Sequence, residues 1–274
     1  MKTYNLELQE WEPATRRLQA PLLDGNDEDL IAYDNNVPVI YQSANWGGDH
    51  DALVELARVL RFGIKYQNPR AAARLSGIKA SNEYFGTVPP QPARKRYACR
   101  EARLYAKLPQ LKVLVDKLSV QMWNIFQEHF PEASAQHEQL VSEAIHSDWR
   151  IAGTPFTSGI INDKSALPYH KDSGNLVGTW SMMLCLRNGT AGGGLHIPEY
   201  GVNLGIPDHS LTIFEGQRLW HGVNPLIYRN NDPYRFTLVW YVKEQVRKCL
   251  CLKDEPDRAA NAATIVHETY ANND

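Results

Sequence analysis

The sequence predicts an α+β fold in which flanking N-terminal helices pack on a double-stranded β-helix, the jelly-roll type of closed antiparallel sandwich. Two observations support this prediction. Before residue 150, apolar residues recur at helical spacing in two long segments. After Phe156, the chain divides into short apolar segments that glycine and proline turns separate.

The predicted helices have recognisable ends. Asp49 is a good N-cap for an amphipathic segment that Gly63 is placed to stop. Pro109 is tolerated in a first helical turn, and Pro131 ends the helix that begins there. The first 45 residues indicate strands and turns instead. We predict helices over residues 51–63, 109–128 and 134–145, and the clearest early strand over residues 37–41.

Residues 63–98 lack a sustained period and are rich in proline, glycine, arginine and lysine, which predicts a long functional loop. The segment from Arg70 to Arg103 is locally basic, with Glu83 and Glu101 as its acids. A nucleic-acid contact and a solvated loop would both produce this charge pattern. The basic residues are Arg70, Arg74, Lys79, Arg94, Lys95, Arg96, Arg100 and Arg103, and the interleaved aromatic residues are Tyr84, Phe85 and Tyr97.

The C-terminal half contains the predicted strands of the sandwich. They cover residues 157–162, 177–187, 193–198, 210–214 and 235–242. We find no internal repeat. We expect a single domain over residues 1–274, with an N-terminal helical and loop region (1–155), the jelly-roll core (156–245) and a C-terminal tail (246–274).

Composition favours an intracellular protein, cytoplasmic or nuclear. With 43% hydrophobic residues, the chain of 274 residues can bury a large core. Its N-terminal residues show no signal peptide, and no apolar run is long enough to span a membrane. The four cysteines lack the spacing of a zinc knuckle or a redox pair, which indicates reduced thiols. The net charge of -2 does not by itself favour nucleic-acid binding.

The segment LPYHKDSGN, residues 167–175, carries a histidine and an aspartate two positions apart. In an extended chain, residues i and i+2 point to the same face, so His170 and Asp172 bring an imidazole and a carboxylate together. An exposed aspartate hydrogen-bonded to a nearby histidine would have the same spacing. The motif alone leaves both interpretations open.

Two later segments favour a metal site. His221, in RLWHGVNP, follows an apolar strand, and Arg235 and Thr237 share one face of the segment RFTLVWYV. Two histidines and a carboxylate on one face of a metal are typical of non-haem Fe(II) oxygenases, which keep the opposite face open. An arginine fork beside a hydroxyl suits the distal carboxylate of 2-oxoglutarate. We therefore predict an enzyme that uses Fe(II), 2-oxoglutarate and dioxygen, with His170 and Asp172 joining His221 as metal ligands.

Several segments resemble the TET/J-binding-protein (TET/JBP) family of Fe(II)/2-oxoglutarate-dependent nucleic-acid base dioxygenases. The resemblance covers roughly residues 80–245 and rests on FTSGIIN, HKDSGN, GGGLHIPEYG, WHGVNP and RFTLVWY. It implies that His170, Asp172 and His221 hold iron. It also implies that Arg235 and Thr237 bind the far carboxylate of 2-oxoglutarate.

The same resemblance implies two further contacts with the co-substrate. His196, in LHIP, matches a histidine near 2-oxoglutarate, whereas a buried strand histidine is the structural alternative. Arg103, in YACREARLY, matches an arginine that approaches the keto-acid end, and its alternative is a surface helix arginine.

Substrate residues also follow from the resemblance. Asn175 matches an asparagine that touches the target base, and Tyr241 matches an aromatic residue on which the extruded base stacks. Lys243 stands where TET enzymes place a histidine that helps to recognise 5-methylcytosine. A lysine ammonium only donates hydrogen bonds and suits a pyrimidine O2 or O4, so 5-methylcytosine and thymine both stay open.

The resemblance implies that this single catalytic domain hydroxylates the 5-methyl group of a pyrimidine in DNA, with 5-methylcytosine as the preferred base and thymine as the alternative. The base would be flipped out, and the stretch from Arg94 to Arg100 would grip the phosphates. No membrane or protein partner is predicted. Other hypotheses are an iron hydroxylase of a small molecule or protein side chain, a reader of modified DNA and a zinc hydrolase, although no glutamate adjoins the ligands as a general base.

Overall fold

The computed structural model describes residues 1–15, 17–64 and 81–271, with side chains described as far as residue 265. Fourteen strands lie within these ranges. They are β1 (Lys2–Leu6), β2 (Leu30–Asp34), β3 (Val37–Ser43), β4 (Ser81–Val88), β5 (Arg100–Glu101), β6 (Ser158–Asp163), β7 (Ser181–Asn188), β8 (Thr190–Gly192), β9 (Leu195–Ile197), β10 (Val202–Leu204), β11 (Leu211–Phe214), β12 (Gly222–Val223), β13 (Leu226–Tyr228) and β14 (Tyr234–Tyr241).

The strands form two facing layers. The described part of the major sheet has the order β1-β2-β3-β11-β7-β14-β6-β4-β5, and the minor sheet has the order β10-β9-β12. All pairs are antiparallel except β1 with β2, and β8 pairs with β13 at one end. Met183 and Cys185 of the major sheet pack with Leu195 and Ile197 of the minor sheet in one buried cluster. This arrangement is the sandwich that the sequence predicts.

Helices cover the outer face of the major sheet. The ring of Phe85 lies 4.9 Å from that of Trp240, and the Trp240 indole donates a 2.7 Å hydrogen bond to Ser119 of the longest helix. Leu118 and Met122 of that helix are fully buried against the sheet. The helices are α1 (His50–Arg58), α2 (Arg103–Lys107), α3 (Pro109–His129), α4 (Pro131–Ala144) and α5 (Glu255–Ala271).

The predicted helix starts agree well with the structure. The Asp49 carboxylate accepts a 2.8 Å hydrogen bond from the backbone N–H of Ala52, as expected of an N-cap, and α1 continues into a π-helical turn, Val59–Gly63. Helix α3 begins at Pro109 as predicted. Helix α4 begins at Pro131, three residues before the predicted start, because proline is as well tolerated in its first turn as in that of α3.

The prediction of a functional loop over residues 63–98 is wrong for Ser81–Val88. This segment is strand β4, which pairs with β6 and buries Phe85 in the main core. The segment has few β-branched residues, so this strand is stabilised mainly by its pairing with β6 and its packing in the core. Neither interaction is visible in the periodicity of the sequence. Arg70, Arg74 and Lys79 of the basic stretch lie outside the described residues.

The expectation of four reduced thiols is also wrong, because Cys99 and Cys249 form a disulfide with their Cα atoms 5.9 Å apart. Cys185 and Cys251 are free. The predicted C-terminal tail holds this partner cysteine and contains helix α5, whose Glu255 accepts a 2.7 Å hydrogen bond from the backbone N–H of Cys99. Among the described residues, no helix is both long and apolar enough to cross a membrane.

The buried His137 is expected to make folding sensitive to acid. Its Nδ1 accepts a 3.2 Å hydrogen bond from the backbone N–H of Trp180, and burial, reinforced by the Arg150 charge, lowers its pKa from 6.5 to about 3. Between these two pKa values the unfolded chain binds a proton that the folded chain excludes, so stability falls as the pH falls through this window. At pH 5 the loss attributable to His137 is about 2 kcal/mol.

Urea unfolding at pH 7.5 and pH 5 checks this prediction. The His137→Asn variant should lose less stability on acidification than the wild type, whereas the exposed control His50→Asn should lose as much. Equal losses in all three proteins would show that His137 is not responsible.

Candidate metal centre and its cavity

The two predicted histidine ligands, His170 and His221, lie side by side and their backbones are hydrogen-bonded to each other. The backbone N–H of His170 donates to the His221 carbonyl at 2.9 Å, and the N–H of His221 donates to the His170 carbonyl at 3.0 Å. Nδ1 of His170 lies 2.8 Å from the Pro168 carbonyl, and Nδ1 of His221 lies 2.9 Å from that of Leu219. Since a carbonyl only accepts, each Nδ1 carries the proton and each Nε2 keeps a lone pair for a metal.

Asp172 completes the group from the loop that follows His170. Its backbone N–H donates to the Gly216 carbonyl at 2.9 Å. Its carboxylate oxygens lie 3.5 Å from His170 Nε2 and 3.9 Å from His221 Nε2. A Cβ at Gly216 would lie 2.7 Å from Oδ2 of Asp172, so a glycine is needed there to leave room for the carboxylate.

Electrostatics favour the ligand forms of His221 and Asp172. Burial, reinforced by the neighbouring His170, lowers the pKa of His221 to about 4, so its imidazole is neutral near pH 7. Burial favours the neutral acid of Asp172, but the interactions with His170, His221 and Lys243 outweigh it and hold the carboxyl pKa below its ordinary value. A neutral imidazole and an ionised carboxylate are what a divalent metal binds.

The donor atoms fit an iron ion. Ligand atoms from His170, Asp172 and His221 all lie within 4.8 Å of one another. Two imidazole nitrogens and one carboxylate are the donor set of non-haem Fe(II) oxygenases. The three residues line a cavity of about 490 Å³, which leaves space beside the metal for a co-substrate and a substrate.

The described residues contain one other potential ligand group, Cys99, Cys249 and Glu255. The two sulfur atoms are joined, and the Glu255 carboxylate accepts hydrogen bonds from the backbone N–H groups of Cys99 and Leu250 at 2.7 and 2.9 Å. These atoms already have partners, so this group does not compete for the iron.

The residues predicted to bind the co-substrate lie on strand β14. Arg235, Thr237 and Val239 alternate on one face of this strand, and Thr237 and Val239 line the cavity. Arg235 lies one pleat beyond Thr237 and does not itself line the cavity. Its guanidinium is buried and donates from Nη2 to the Gly193 carbonyl.

Arg235 has unused hydrogen-bonding capacity that fits a carboxylate. Its Nε and Nη1 are buried and have no hydrogen-bond partner among the described residues. An unpaired buried guanidinium is costly, and a carboxylate that accepts hydrogen bonds from its free N–H groups would lower that cost. The residues present therefore fit 2-oxoglutarate, with the Thr237 hydroxyl as a further donor beside it.

The predicted substrate residues lie around the same cavity. Asn175, Tyr241 and Lys243 all line it. The amide of Asn175 donates to the Ser181 hydroxyl at 3.4 Å, and Lys243 Nζ lies 6.0 Å from the centre of the Tyr241 ring. The structure thus brings these three side chains into one space with the predicted metal ligands.

His196 and Arg103 do not line this cavity. His196 projects from the face of β9 opposite to Leu195, and its Nδ1 is hydrogen-bonded to the hydroxyl of Tyr169. Arg103 begins helix α2, where its guanidinium lies 4.0 Å from the Glu83 carboxylate in a neighbouring pocket. Their roles at the co-substrate stay predictions.

Asn162 also lines the cavity, and it was not predicted from the sequence. Its Nδ2 lies 3.3 Å from the Thr237 hydroxyl, and its Oδ1 is buried with no partner among the described residues. A polar residue at the end of the apolar segment SGIIN was the available signal. Tyr84 was noted as an aromatic residue of the basic stretch, but its place in the cavity depends on the unexpected strand β4.

Glu199 joins the two segments that carry the ligands, and no role was predicted for it although it lies in the segment GGGLHIPEYG. Its Oε2 accepts a 2.6 Å hydrogen bond from the backbone N–H of Trp220, which directly precedes one histidine ligand. Its Oε1 lies 3.6 Å from Nζ of Lys171, which stands between the other two ligands. We expect Glu199 to act as a positioning residue for the metal site.

We predict that Glu199→Ala weakens Fe(II) binding about 10- to 100-fold, as is usual for residues that orient ligands. Glu199→Gln keeps the acceptor for Trp220 and should restore most of the affinity. Anaerobic Fe(II) titration measures both, and Glu215→Ala, which removes a carboxylate that pairs with Arg218 on the same loop, is the control. Equal affinities for the alanine variants of Glu199 and Glu215 would contradict this role.

Comparison with known proteins agrees with this geometry. Residues 90–244, more than half of the chain, match the model of the family Tet_JBP, described as the oxygenase domain of the 2OGFeDO superfamily. The chain belongs to this family. Membership confirms the predicted family, the enzyme class of Fe(II)/2-oxoglutarate dioxygenases and the cofactors Fe(II), 2-oxoglutarate and dioxygen.

Curated relatives align with more than half of the chain. The chain is 28% identical over 159 residues to thymine dioxygenase JBP1 of Crithidia fasciculata, an alignment that covers 58% of this chain and 18% of the relative. It is 26% identical over 170 residues to thymine dioxygenase JBP1 of Leishmania infantum, which covers 62% and 20%. The chain therefore spans about a fifth of the length of these relatives.

Solved structures with a similar fold include NgTET1 in complex with 5mC DNA, with a TM-score of 0.59, 12% identity, and coverage of 83% of this chain and 81% of that chain. An oxidoreductase of the 2OG-Fe(II) oxygenase family from Burkholderia pseudomallei has a TM-score of 0.50 at 12% identity, with 75% and 85% covered. These likenesses confirm the predicted α+β fold with a jelly-roll core.

Proposed function

We propose that this Tet_JBP oxygenase domain hydroxylates the 5-methyl group of thymine in DNA and so forms 5-hydroxymethyluracil. The sequence analysis preferred 5-methylcytosine, and two observations favour the alternative base. Relatives that align with more than half of the chain carry the name thymine dioxygenase. The observation that carries the proposal is that Lys243 lines the metal cavity, because its chemistry discriminates between the two bases.

Thymine and 5-methylcytosine differ at the ring position next to the methyl group. Thymine presents the O4 acceptor there, whereas cytosine presents the N4 amino donor. When the methyl group is directed at the metal, this position lies on the same edge of the base. The ammonium of Lys243 interacts electrostatically with the metal ligand Asp172 and only donates, so it suits O4 and would oppose an amino group.

Asn175 and Tyr241 suit the remainder of the base. The Asn175 amide both donates and accepts and can pair with the edge of a pyrimidine, although it does not select one base. The Tyr241 ring offers a stacking surface that tolerates any base. A stacked base inside a duplex could not reach a metal within the sandwich, so the proposal includes extrusion of the target nucleotide.

In this mechanism the side chains hold the cofactors, orient the substrate and exclude water. His170, Asp172 and His221 would hold the iron, while Arg235 and Thr237 would hold the distal carboxylate of 2-oxoglutarate. When bound, iron, 2-oxoglutarate and dioxygen supply the oxidation, which leaves one oxygen atom on the methyl carbon and the other in succinate, with release of CO₂. The apolar part of the lining keeps water away from the reacting methyl group. It includes Leu195, Phe214, Val223 and Val239.

Nucleoside mass analysis tests the proposal. Duplex DNA that contains thymine and 5-methylcytosine is incubated with the enzyme, Fe(II), ascorbate and 2-oxoglutarate, and then digested to nucleosides. We expect thymidine to gain one oxygen atom, and the His170→Ala variant to form no product. Oxygen gained by 5-methyldeoxycytidine alone would overturn the thymine assignment. Succinate formation without any oxidised nucleoside would overturn the assignment to DNA.

Replacement of Lys243 tests the basis of selectivity. We predict that Lys243→His lowers kcat/KM on thymine about tenfold, because one charge-assisted hydrogen bond to O4 is worth roughly 1.5–3 kcal/mol and the imidazole replaces only part of it. The ratio of kcat/KM for 5-methylcytosine to that for thymine should rise. The exposed Lys253→His is the control. An unchanged ratio in the Lys243 variant would show that this residue does not read position 4.

A further inference from the structure

A second cavity adjoins the metal cavity, and four of its ten lining residues are arginines. It has a volume of about 440 Å³. Tyr84 lines both cavities and is 45% exposed, so its ring separates the two spaces at the surface. We call the second cavity the arginine pocket. Its charged lining residues are Arg94, Arg96, Arg100, Arg103 and Glu83.

The arginine pocket has an excess of positive charge. Glu83 is the single acid among its described lining residues, and it lies 4.0 Å from Arg103. Within the described ranges, no carboxylate pairs with Arg94 or Arg96. Burial, reinforced by the charge of Arg96, lowers the pKa of Arg100. An anion in the pocket would relieve this repulsion between like charges.

Two of the arginines stand on a short, closed loop. The backbone groups of Gln91 and Arg96 form reciprocal hydrogen bonds of 2.6 and 3.2 Å. Lys95, at the tip of this loop, has a left-handed backbone with φ of 54° and does not line the pocket. Arg94 and Arg96 on either side of it do. Of the three consecutive basic residues of this loop, Arg94 and Arg96 therefore face the pocket and Lys95 does not.

We propose that the arginine pocket binds the DNA phosphodiester next to the extruded base, with Tyr84 packed against the intervening sugar or the neighbouring base. This inference rests on the proposed function and names how that site holds its substrate. Guanidinium forks match phosphate oxygens at two points. The pocket is open to the surface beside the base cavity, where the backbone of a flipped nucleotide has to run.

The proposal revises two expectations from the sequence. Arg103, expected near the keto-acid end of 2-oxoglutarate, is assigned to the pocket that receives the phosphate. Lys95, which belonged to the expected phosphate grip between Arg94 and Arg100, is excluded from it. The difference between Arg96 and Lys95 makes the assignment testable, because the two are adjacent in the chain and carry equal charge.

The salt dependence of DNA binding tests this assignment. Fluorescence anisotropy of a labelled duplex gives the affinity of full-length protein at several salt concentrations. Arg96→Ala should weaken binding and reduce the slope of log K against log salt by about 1, as expected for one lost phosphate contact. Arg96→Lys should recover most of the slope, and Lys95→Ala should leave it at the wild-type value.

Each outcome bears on the proposal separately from the proposed function. Equal slopes for the alanine variants of Arg96 and Lys95 would overturn the arginine pocket even if thymine is hydroxylated. A reduced slope in Arg96→Ala alone would support the pocket even if no base is oxidised. Inorganic phosphate, added at constant ionic strength, should displace DNA from the wild type more readily than from Arg96→Ala, because free phosphate competes with the phosphodiester for the pocket. Phosphate that fills the pocket without weakening DNA binding would show a site for free phosphate only, and the proposal would fail.

Discussion

Asp172→Ala is expected to abolish turnover, with a fall in succinate formation of about a thousandfold or more. Asp172 is the single carboxylate among the three predicted ligands, so its removal takes away both a ligand and the negative charge that balances the metal. The two histidines keep each other in place through their reciprocal backbone hydrogen bonds, and the fold should survive. Succinate formation and Fe(II) affinity are measured on the same preparation.

A second half-buried carboxylate provides the control for this experiment. Asp163, at the end of β6, accepts from the Ser81 hydroxyl at 3.4 Å and lies outside the metal group. Asp163→Asn should keep iron binding and turnover close to those of the wild type. Turnover by a correctly folded Asp172→Ala variant within tenfold of the wild type would contradict the assignment of Asp172 as a ligand.

Arg235→Met is expected to raise the KM for 2-oxoglutarate about 100-fold or more, since loss of a buried charged partner for a carboxylate costs roughly 3–5 kcal/mol. The same variant should be as stable as the wild type in the absence of 2-oxoglutarate, or more stable. The reason is that Nε and Nη1 of Arg235 are buried without partners, and an apolar side chain of similar length removes that cost. Thermal unfolding with and without 2-oxoglutarate separates the two effects.

The cross-strand neighbour Arg187 is the matched control. It pairs with Arg235 in the register of β7 and β14, but its guanidinium donates to the Thr190 hydroxyl at 3.1 Å and to the Ile206 carbonyl at 3.1 Å. Arg187→Met should therefore destabilise the fold and leave the shift in Tm caused by 2-oxoglutarate intact. A full shift in Arg235→Met would exclude Arg235 from the co-substrate site.

Local signals explain which parts of the fold could be predicted from the sequence. A capping side chain such as that of Asp49, or a proline such as Pro109, acts on its own helical turn, so the helix starts follow from short stretches of sequence. The spacing of His170 and Asp172 is equally local. The position of His221 beside them was predicted only from the order of the segments and the donor set that a metal needs, because the register between distant segments is not encoded in either one.

Long-range packing explains what could not be predicted. Strand β4 is stable because of its neighbour β6, and the disulfide joins Cys99 to Cys249 across 150 residues. Glu199 supports the metal ligands only through a backbone N–H and a lysine from two other segments. Arg96, on a closed loop, and Arg103, at the start of helix α2, converge in one pocket. None of these relations leaves a pattern in the residues nearby.

Native mass spectrometry of the protein with Fe(II) and 2-oxoglutarate under anaerobic conditions tests the central claim most directly. We predict one iron and one 2-oxoglutarate per chain in the wild type, with 2-oxoglutarate retained only when iron is bound. The double variant His170→Ala/His221→Ala should retain neither. Iron bound at wild-type stoichiometry by the folded double variant would show that the metal lies elsewhere, and would contradict the assignment of His170, Asp172 and His221 as its ligands.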